Sequence, residues 1–280
     1  MNTIVVTGAA GQLGRALALT APSTCTVRWL RRADCDLSDP EQVRAHPAFA
    51  QADTVINAAA FTLVDAAESH PTAARRANAL APELLAQHCQ RIGARLIHLS
   101  TDYVFGPHAP RRPLRPSDPV APDSVYGATK LAGERAVLGT GATACVVRTA
   151  WVYSGFLLPD HRDFVTTMAR LAREGSPAKV VDDQHGSPTY SVDLARALWQ
   201  LAGQSWDSGI IHLAGGQEAT WYQLARAVFA AVGADPGLVT PTNSAGYPTP
   251  APRPPWSVLE SARELPGWPA ALPRALEARL

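Results

Sequence analysis

A tyrosine and a lysine stand four residues apart in Tyr126-Gly127-Ala128-Thr129-Lys130. Ala128, Leu131, Ala132 and Glu134 favour a helix here, which puts both side chains on one face, about 6 Å apart at Cβ. A phenol holds its proton to about pH 10, so near neutrality it is a reluctant acid. An ammonium group close by stabilises the phenolate and lowers the tyrosine pKa, which eases proton donation to a substrate oxygen. Tyr-x-x-x-Lys also arises by chance. The pair means proton transfer only if other elements bring it a substrate and a source of reducing power.

Such a source is suggested at the other end of the chain. Ile4-Val5-Val6 is a β-branched run suited to a buried central strand. It leads into Thr7-Gly8-Ala9-Ala10-Gly11-Gln12-Leu13-Gly14, where a helical pattern begins with Leu13, Ala16 and Leu17. Strand, glycine turn and helix form a dinucleotide-binding arrangement. Gly8 allows the tight turn, Gly11 the approach of a pyrophosphate, and Gly14 close packing of helix on sheet. The diphosphate would rest on free N–H groups at the helix N-terminus. The spacing G-x-x-G-x-x-G is that of the short-chain dehydrogenases. Cys25 to Leu30 reads as a second strand ending at Arg31-Arg32. Arginine at that position accommodates the 2′-phosphate of NADP, so NADPH is expected, with NADH as the alternative.

The remaining elements alternate. Asp39 or Ser38 can cap a helix whose first turn holds Pro40. Thr54-Val55-Ile56 reads as a buried strand ending in Asn57-Ala58-Ala59-Ala60, whose small residues let a cofactor lie against the backbone. A helical pattern runs from about Pro71 to Ile92 and stops at Gly93. Arg95 to Leu99 reads as a strand whose carboxyl end is Ser100-Thr101-Asp102-Tyr103-Val104-Phe105. Prolines recur at every third position from Pro107 to Pro122, a spacing that suits polyproline II, but an ordered loop bridging strand and helix explains it better. Ala144 to Arg148 reads as another strand. Beyond Trp151 the alternation loosens, with helices expected at 164–173, 192–202 and 221–232 and short strands at 179–181 and 210–213. The expected fold is α/β, a doubly wound, mostly parallel Rossmann sheet in residues 1–150. Residues 151–280 are expected to form mainly a smaller substrate lobe, interleaved with that sheet.

Bulk composition narrows the function. The 280 residues are 46% hydrophobic and 18% charged, as in a globular protein with a filled core. A net charge of +1 with scattered basic residues offers no footprint for nucleic acid or an anionic membrane. Cys25, Cys35, Cys89 and Cys145 have neither C-x-x-C nor metal-ligand spacing and read as buried thiols in a reducing compartment. The N-terminus lacks signal-peptide features and no apolar run is long enough to span a bilayer, so a cytoplasmic protein is expected.

Taken together, these stretches resemble the extended short-chain dehydrogenase/reductases, and more closely the dTDP-4-dehydrorhamnose reductase family. The likeness rests on Gly11-Gln12-Leu13-Gly14, Asn57 to Asp65, Ser100 to Phe105, Tyr126 to Lys130, Arg148-Thr149-Ala150-Trp151-Val152-Tyr153 and Asp183 to Thr189. It implies hydride transfer from a reduced nicotinamide to the C4 ketone of a nucleotide-linked 6-deoxyhexose. By that resemblance Tyr126 is the proton donor, Lys130 holds the nicotinamide ribose, and Thr101 hydrogen-bonds the carbonyl. Gly11, Gln12 and Leu13 fall on the diphosphate, Asp36 and Leu37 at the adenine, and Ala58, Ala59, Ala60 and Leu99 along the cofactor. Thr101, Asp102, Tyr103, Trp151, Arg253 and Trp256 fall on the sugar nucleotide.

Four departures from the family pattern stand out. Leu114 and Pro116 replace an aromatic and an acidic residue in the loop before the tyrosine. Trp256 replaces an asparagine in Arg253-Pro254-Pro255-Trp256-Ser257, and Arg15-Ala16-Leu17-Ala18 lacks the helix carboxylates that bind magnesium in some members. No metal is expected, and a monomer or homodimer is. Two other functions keep parts of this pattern. One is a non-catalytic regulator resembling the regulatory subunit of methionine adenosyltransferase, against which the intact Thr101, Tyr126 and Lys130 argue. The other is a sugar-nucleotide epimerase or dehydratase, which Asp102 beside Thr101 keeps open.

Overall fold

The β-branched runs become neighbouring strands of one sheet in a computed structural model that describes residues 2–158 and 160–277. In chain order they are β1 (Asn2–Thr7), β2 (Cys25–Leu30), β3 (Thr54–Asn57), β4 (Arg95–Thr101), β5 (Ala144–Thr149) and β6 (Gly209–His212). Their spatial order is β2-β1-β3-β4-β5-β6, and each neighbouring pair is parallel. β3 and β5 are buried at every position, as strands covered on both faces must be. β1 pairs with β2 on one side and β3 on the other, so the winding reverses there. A crevice outside the carboxyl ends of the strands is expected at such a reversal.

Helices cover both faces. The longer ones are α1 (Gln12–Leu19), α2 (Ala81–Ile92), α3 (Val125–Gly139), α4 (Phe164–Arg173), α5 (Ser191–Ala202), α6 (Trp221–Ala231) and α7 (Trp268–Glu277). Side chains alternate along a strand. Ile4 and Val6 therefore pack with Leu17 of α1 and Leu198 of α5, whereas Val5 packs with Leu85 of α2 and Val137 of α3. α2 continues a helix that begins at Pro71–Arg75, passes a π turn at Arg76–Leu80 and ends on Gly93 at φ +73°. The cysteines Cys35, Cys89 and Cys145 are buried in these layers; burial raises the Cys89 thiol to about 12 and the Cys145 thiol to about 11. Both are inert as nucleophiles.

After β5 the chain builds a second core from α4, α6 and α7 around Val165, Met168, Leu224, Phe229 and Leu272. Strand Ala178–Val181 pairs in parallel with Val239–Thr242, and Val152–Tyr153 with Thr189–Tyr190. His185–Gly186 pairs antiparallel with Ala219–Thr220. The chain also returns to the main sheet, where α5 covers α1 and β6 extends the sheet beyond β5. The proline-rich 106–124 segment is an ordered loop. Leu114, fully buried, donates to the Val258 carbonyl at 2.8 Å and accepts from Glu260 at 2.9 Å. No helix of the described residues is long and apolar enough to cross a membrane.

One ion pair fixes α3 on the sheet. Arg148 of β5 meets Glu134 of α3 through two bonds, Nη2 to Oε2 at 2.7 Å and Nε to Oε1 at 2.9 Å. Both side chains are buried, at 2% and 1% exposure, and Ser100 of β4 also donates to Glu134 Oε1 at 2.5 Å. Removing one partner strands a buried charge. Glu134→Leu is expected to lower unfolding stability by about 3–5 kcal/mol in urea denaturation, and Glu134→Leu/Arg148→Met to recover most of it. A single variant as stable as the wild type would show that the pair carries no such burden.

Candidate active site

The glycine turn is built for close approach. Gly8 sits at φ +71°, and a Cβ there would lie 2.6 Å from the Ala59 nitrogen and 2.7 Å from the Ala58 carbonyl carbon. At Gly14 a Cβ would lie 2.2 Å from the Gly8 oxygen. Gly11 caps α1 without any side-chain bond, and the first turn holds no acidic residue. The N–H groups of that turn, which carry partial positive charge, stay available to an anion. Across the reversal, Thr7 donates to Asn57 Oδ1 at 2.7 Å, the Ala59 N–H donates to the same oxygen at 3.2 Å, and Asn57 Nδ2 meets His98 Nδ1 at 3.1 Å. This chain across β1, β3 and β4 holds Ala58, Ala59 and the exposed Ala60 beside the glycine turn.

The adenine end is polar. Arg31 is engaged by Asp34 through its backbone N–H at 2.8 Å and Nε at 3.1 Å. Arg32 is exposed and has no ion-pair partner among the described residues. Asp36 accepts from the Ser38 N–H and hydroxyl and lies 3.6 Å from Arg76, while Leu37 packs against the core. On the other flank of α1, Gln12 Nε2 reaches Asp163 at 3.4 Å and Arg15 pairs with Asp160 at 2.6 Å. Leu13 packs against the core cluster.

Thr101, Tyr126 and Lys130 converge at the carboxyl end of β4. Ser124 caps α3 by accepting from the Gly127 N–H at 3.1 Å. A Cβ at Gly127 would lie 2.4 Å from the Tyr103 oxygen, so the first turn of α3 sits flush on the turn after β4. Tyr126, half-buried, meets Tyr103 edge-on with ring centres 5.5 Å apart. Lys130 is buried and donates to the Leu99 carbonyl at 2.6 Å. Thr101 donates to Asp102 Oδ1 at 3.0 Å and accepts from the Tyr103 N–H at 3.2 Å.

Burial dominates the acid–base behaviour. It raises Tyr126 to about 12, with the Thr101 hydroxyl pulling down and Asp102 pushing up. It lowers Lys130 to about 8, against the attraction of Glu134. Asp102 is raised to about 6, also chiefly by burial. Sequence spacing predicts a phenol whose pKa the lysine lowers. The tyrosine stands higher instead, because Lys130 bonds to the Leu99 carbonyl and desolvation prevails.

Trp151, just past the carboxyl end of β5, stands at φ +45°, a strained backbone for a bulky residue. Its indole stacks on Trp221 with ring centres 3.6 Å apart, and Phe164 lies 4.6 Å from Trp221. A Cβ at Gly186 would lie 2.2 Å from the Trp151 ring. Trp221 and Phe164 were not singled out by the sequence. Their only signal is aromatic residues at helix starts, a pattern that core packing produces equally. Trp256 stacks on His185 at 5.1 Å and donates Nε1 to the Arg112 carbonyl at 2.8 Å. Arg253 is held by Asp65 at 2.8 Å, and the bond pulls the Asp65 carboxyl below its usual range. Leu114, by contrast, lies in the core with Phe105 and Leu259.

A doubly wound parallel sheet, a glycine turn at its reversal and a Thr–Tyr–Lys set beside β4 define an extended short-chain dehydrogenase/reductase. A family model described as the RmlD substrate binding domain matches residues 1–277. The chain is 48% identical to dTDP-4-dehydrorhamnose reductase of Mycolicibacterium smegmatis, covering 93% of this chain and 78% of that one. It is 42% identical to dTDP-4-keto-6-deoxy-D-glucose reductase of Streptomyces niveus, covering 86% and 82%. The crystal structure of the Bacillus anthracis dTDP-4-dehydrorhamnose reductase, solved in complex with NADP, superposes with a TM-score of 0.91 at 30% identity over 98% of both chains. The chain belongs to the dTDP-4-dehydrorhamnose reductase family.

The contact of Gly186 with the indole gives a test that needs no substrate. Gly186→Ala must displace Trp151, at a cost of about 1–3 kcal/mol for overpacking. Near-ultraviolet circular dichroism of the stacked indoles is expected to change together with that loss. An unaltered spectrum would mean that the stack does not depend on this glycine.

Proposed function

We propose that the protein reduces the C4 ketone of a dTDP-4-keto-6-deoxyhexose with NADPH. The observation that carries this reading is the convergence of Thr101, Tyr126 and buried Lys130 beside the open glycine turn. The names of the relatives above support the substrate class.

The residues present fit a dinucleotide. The backbone at Gly8 and Gly14 leaves no room for side chains, and the N-terminus of α1 is free of a competing cap. In this reading Gly11, Gln12 and Leu13 hold the diphosphate, and Asp36 and Leu37 border the adenine. Arg32 takes the 2′-phosphate, because Arg31 is already engaged by Asp34. Ala58, Ala59, Ala60 and Leu99 line the path toward the nicotinamide. The reduced nicotinamide supplies a hydride to C4.

The chain supplies the proton and the geometry. Thr101 hydrogen-bonds the carbonyl oxygen, and Tyr126 gives its phenolic proton to the oxygen as it becomes an alkoxide. Lys130 has one hydrogen on Leu99 and keeps two to hold ribose hydroxyls and to stabilise the phenolate left behind. Residues 151–280 supply mainly the substrate side, interleaved with the main sheet, with Trp151 and Trp221 as a wall and Arg253 and Trp256 on a strap at 253–257 that runs beside His185. Free Cys25, Cys35, Cys89 and Cys145 support work in the reducing cytoplasm.

The purified protein is expected to oxidise NADPH only when the 4-keto sugar nucleotide is present, and Tyr126→Phe to cut kcat by about 1,000-fold. Wild-type turnover by the phenylalanine variant would remove Tyr126 from the mechanism. Separately, Arg32→Ala is expected to raise the KM for NADPH by about tenfold or more while leaving that for NADH unchanged, because only the former carries the phosphate. Equal effects on both cofactors would exclude Arg32 from phosphate recognition.

A further inference from the structure

Thr101 has one hydrogen to give and two lone pairs to offer. The hydrogen goes to Asp102 Oδ1 at 3.0 Å, and one lone pair takes the Tyr103 N–H at 3.2 Å. In this arrangement only one lone pair is left, and a visiting oxygen must share it with the Tyr126 hydroxyl, which lies close enough for Thr101 to pull on its pKa. A carbonyl oxygen is itself an acceptor, so the hydroxyl that should greet the substrate is turned the wrong way.

The reason lies in Asp102. The residue is 2% exposed, and its second oxygen, Oδ2, has no hydrogen-bond partner among the described residues. Ser257 on the strap lies close enough to draw the carboxyl pKa down, but its own hydroxyl points to the His185 carbonyl at 3.3 Å. The titratable groups acting on this corner are Tyr103 from the same turn and Tyr126 from α3. Beyond Tyr103 stand Arg253 and Asp65, which are paired with each other. Among these influences no cation compensates Asp102. A carboxylate buried with an orphaned oxygen is costly, and a proton relieves that cost.

We propose that Asp102 is a positioning residue whose proton sets the direction of the Thr101 hydroxyl. This rests on the reductase reading above and specifies how its carbonyl site is switched on. With Asp102 ionised, Thr101 donates to the carboxylate. With Asp102 neutral, the acid donates to Thr101 through Oδ1. The two Thr101 lone pairs are then filled by Asp102 and by the Tyr103 N–H, and the hydroxyl hydrogen is free for the C4 oxygen. No bond to carbon changes in this step; one proton on Asp102 reverses one hydrogen bond. Burial already holds the carboxyl near 6. A ketone covering Thr101 excludes more water and favours the neutral acid further.

The test is a pH profile with a measurement that does not need turnover. For the wild type, kcat/KM for the 4-keto sugar nucleotide is expected to fall roughly twentyfold between about pH 5.5 and about pH 7.5. The corresponding limb of kcat should lie at higher pH. In Asp102→Asn the amide can donate permanently to Thr101, so this limb is expected to vanish while the limb of Tyr126 remains. A limb of unchanged position and depth in Asp102→Asn overturns the proposal. In parallel, carbon-13 NMR of aspartate-labelled protein without cofactor, assigned by the same variant, should show Asp102 titrating well above the ordinary carboxylate range. Titration within that range also overturns it. If the wild type fails to reduce the ketone, the reductase reading falls, and the NMR titration still decides whether Asp102 holds the proton.

Discussion

The bidentate contact between Arg148 and Glu134 fixes where Tyr126 and Lys130 sit. Tyr126, Lys130 and Glu134 are spaced by four residues each, so they form a single stripe along α3. Anchoring Glu134 to Arg148 of β5 and Ser100 of β4 sets the rotation and height of that stripe over the sheet. The anchor spreads outward as well. Arg148 also lies over the Phe105 ring at 5.1 Å and donates to the Pro116 carbonyl at 3.3 Å, which draws in the loop before α3. A buried ion pair seldom stabilises more than an apolar pair of the same volume. Its value here is directional, because two fixed bonds admit one orientation of the helix where an apolar contact would admit several.

The same dryness that makes this anchor rigid shapes the acid and base groups. Burial drives Tyr126 and Asp102 up and Lys130 down, each toward its neutral form. His98, buried behind Lys130, is held neutral by burial and by the lysine charge. Such a site is poorly balanced without its ligands and gains from charge and hydrogen-bonding groups that arrive with them. Fixed donors in a water-poor cleft act more strongly on a developing alkoxide than the same donors in water.

Much of this architecture was legible in the sequence. The β-branched runs, the glycine turn and Gly93 mark the sheet and its helices within a residue or two, because each depends on local periodicity or on a single backbone requirement. The strand at 210–213 was legible as well, but its place beside β5 was not, since pairing between distant segments leaves no local mark. The terminal helix Trp268–Glu277 escaped notice because it carries Pro273 inside, a residue that normally ends a helix. At the candidate site, residue types at fixed spacing pointed to Tyr126, Lys130 and Thr101, which the fold brings to one end of β4. Spacing could not show that Lys130 would turn to Leu99, because that bond depends on the depth of the cleft.

The aromatic group around Trp151 follows a different logic. Trp151 accepts an unfavourable φ, and what holds it there is external: the Trp221 ring on its face, the bare backbone of Gly186 at its edge, and the Thr189 N–H on its carbonyl at 3.2 Å. Trp256 is likewise committed, with its one N–H spent on Arg112 and its ring on His185. Where an amide could offer both a donor and an acceptor to a sugar, this indole offers only an apolar surface. Arg253 is held back by Asp65 in the same strap. The stripe of Tyr126, Lys130 and Glu134 is therefore set by polar bonds to the main sheet, while the Trp151–Trp221 stack is set by aromatic packing in the C-terminal part. The two meet at one shared cluster, where Trp151 and Trp256 pack against Val104, Phe105 and Leu131, so a change of shape in the aromatic group bears directly on the turn after β4 and on α3.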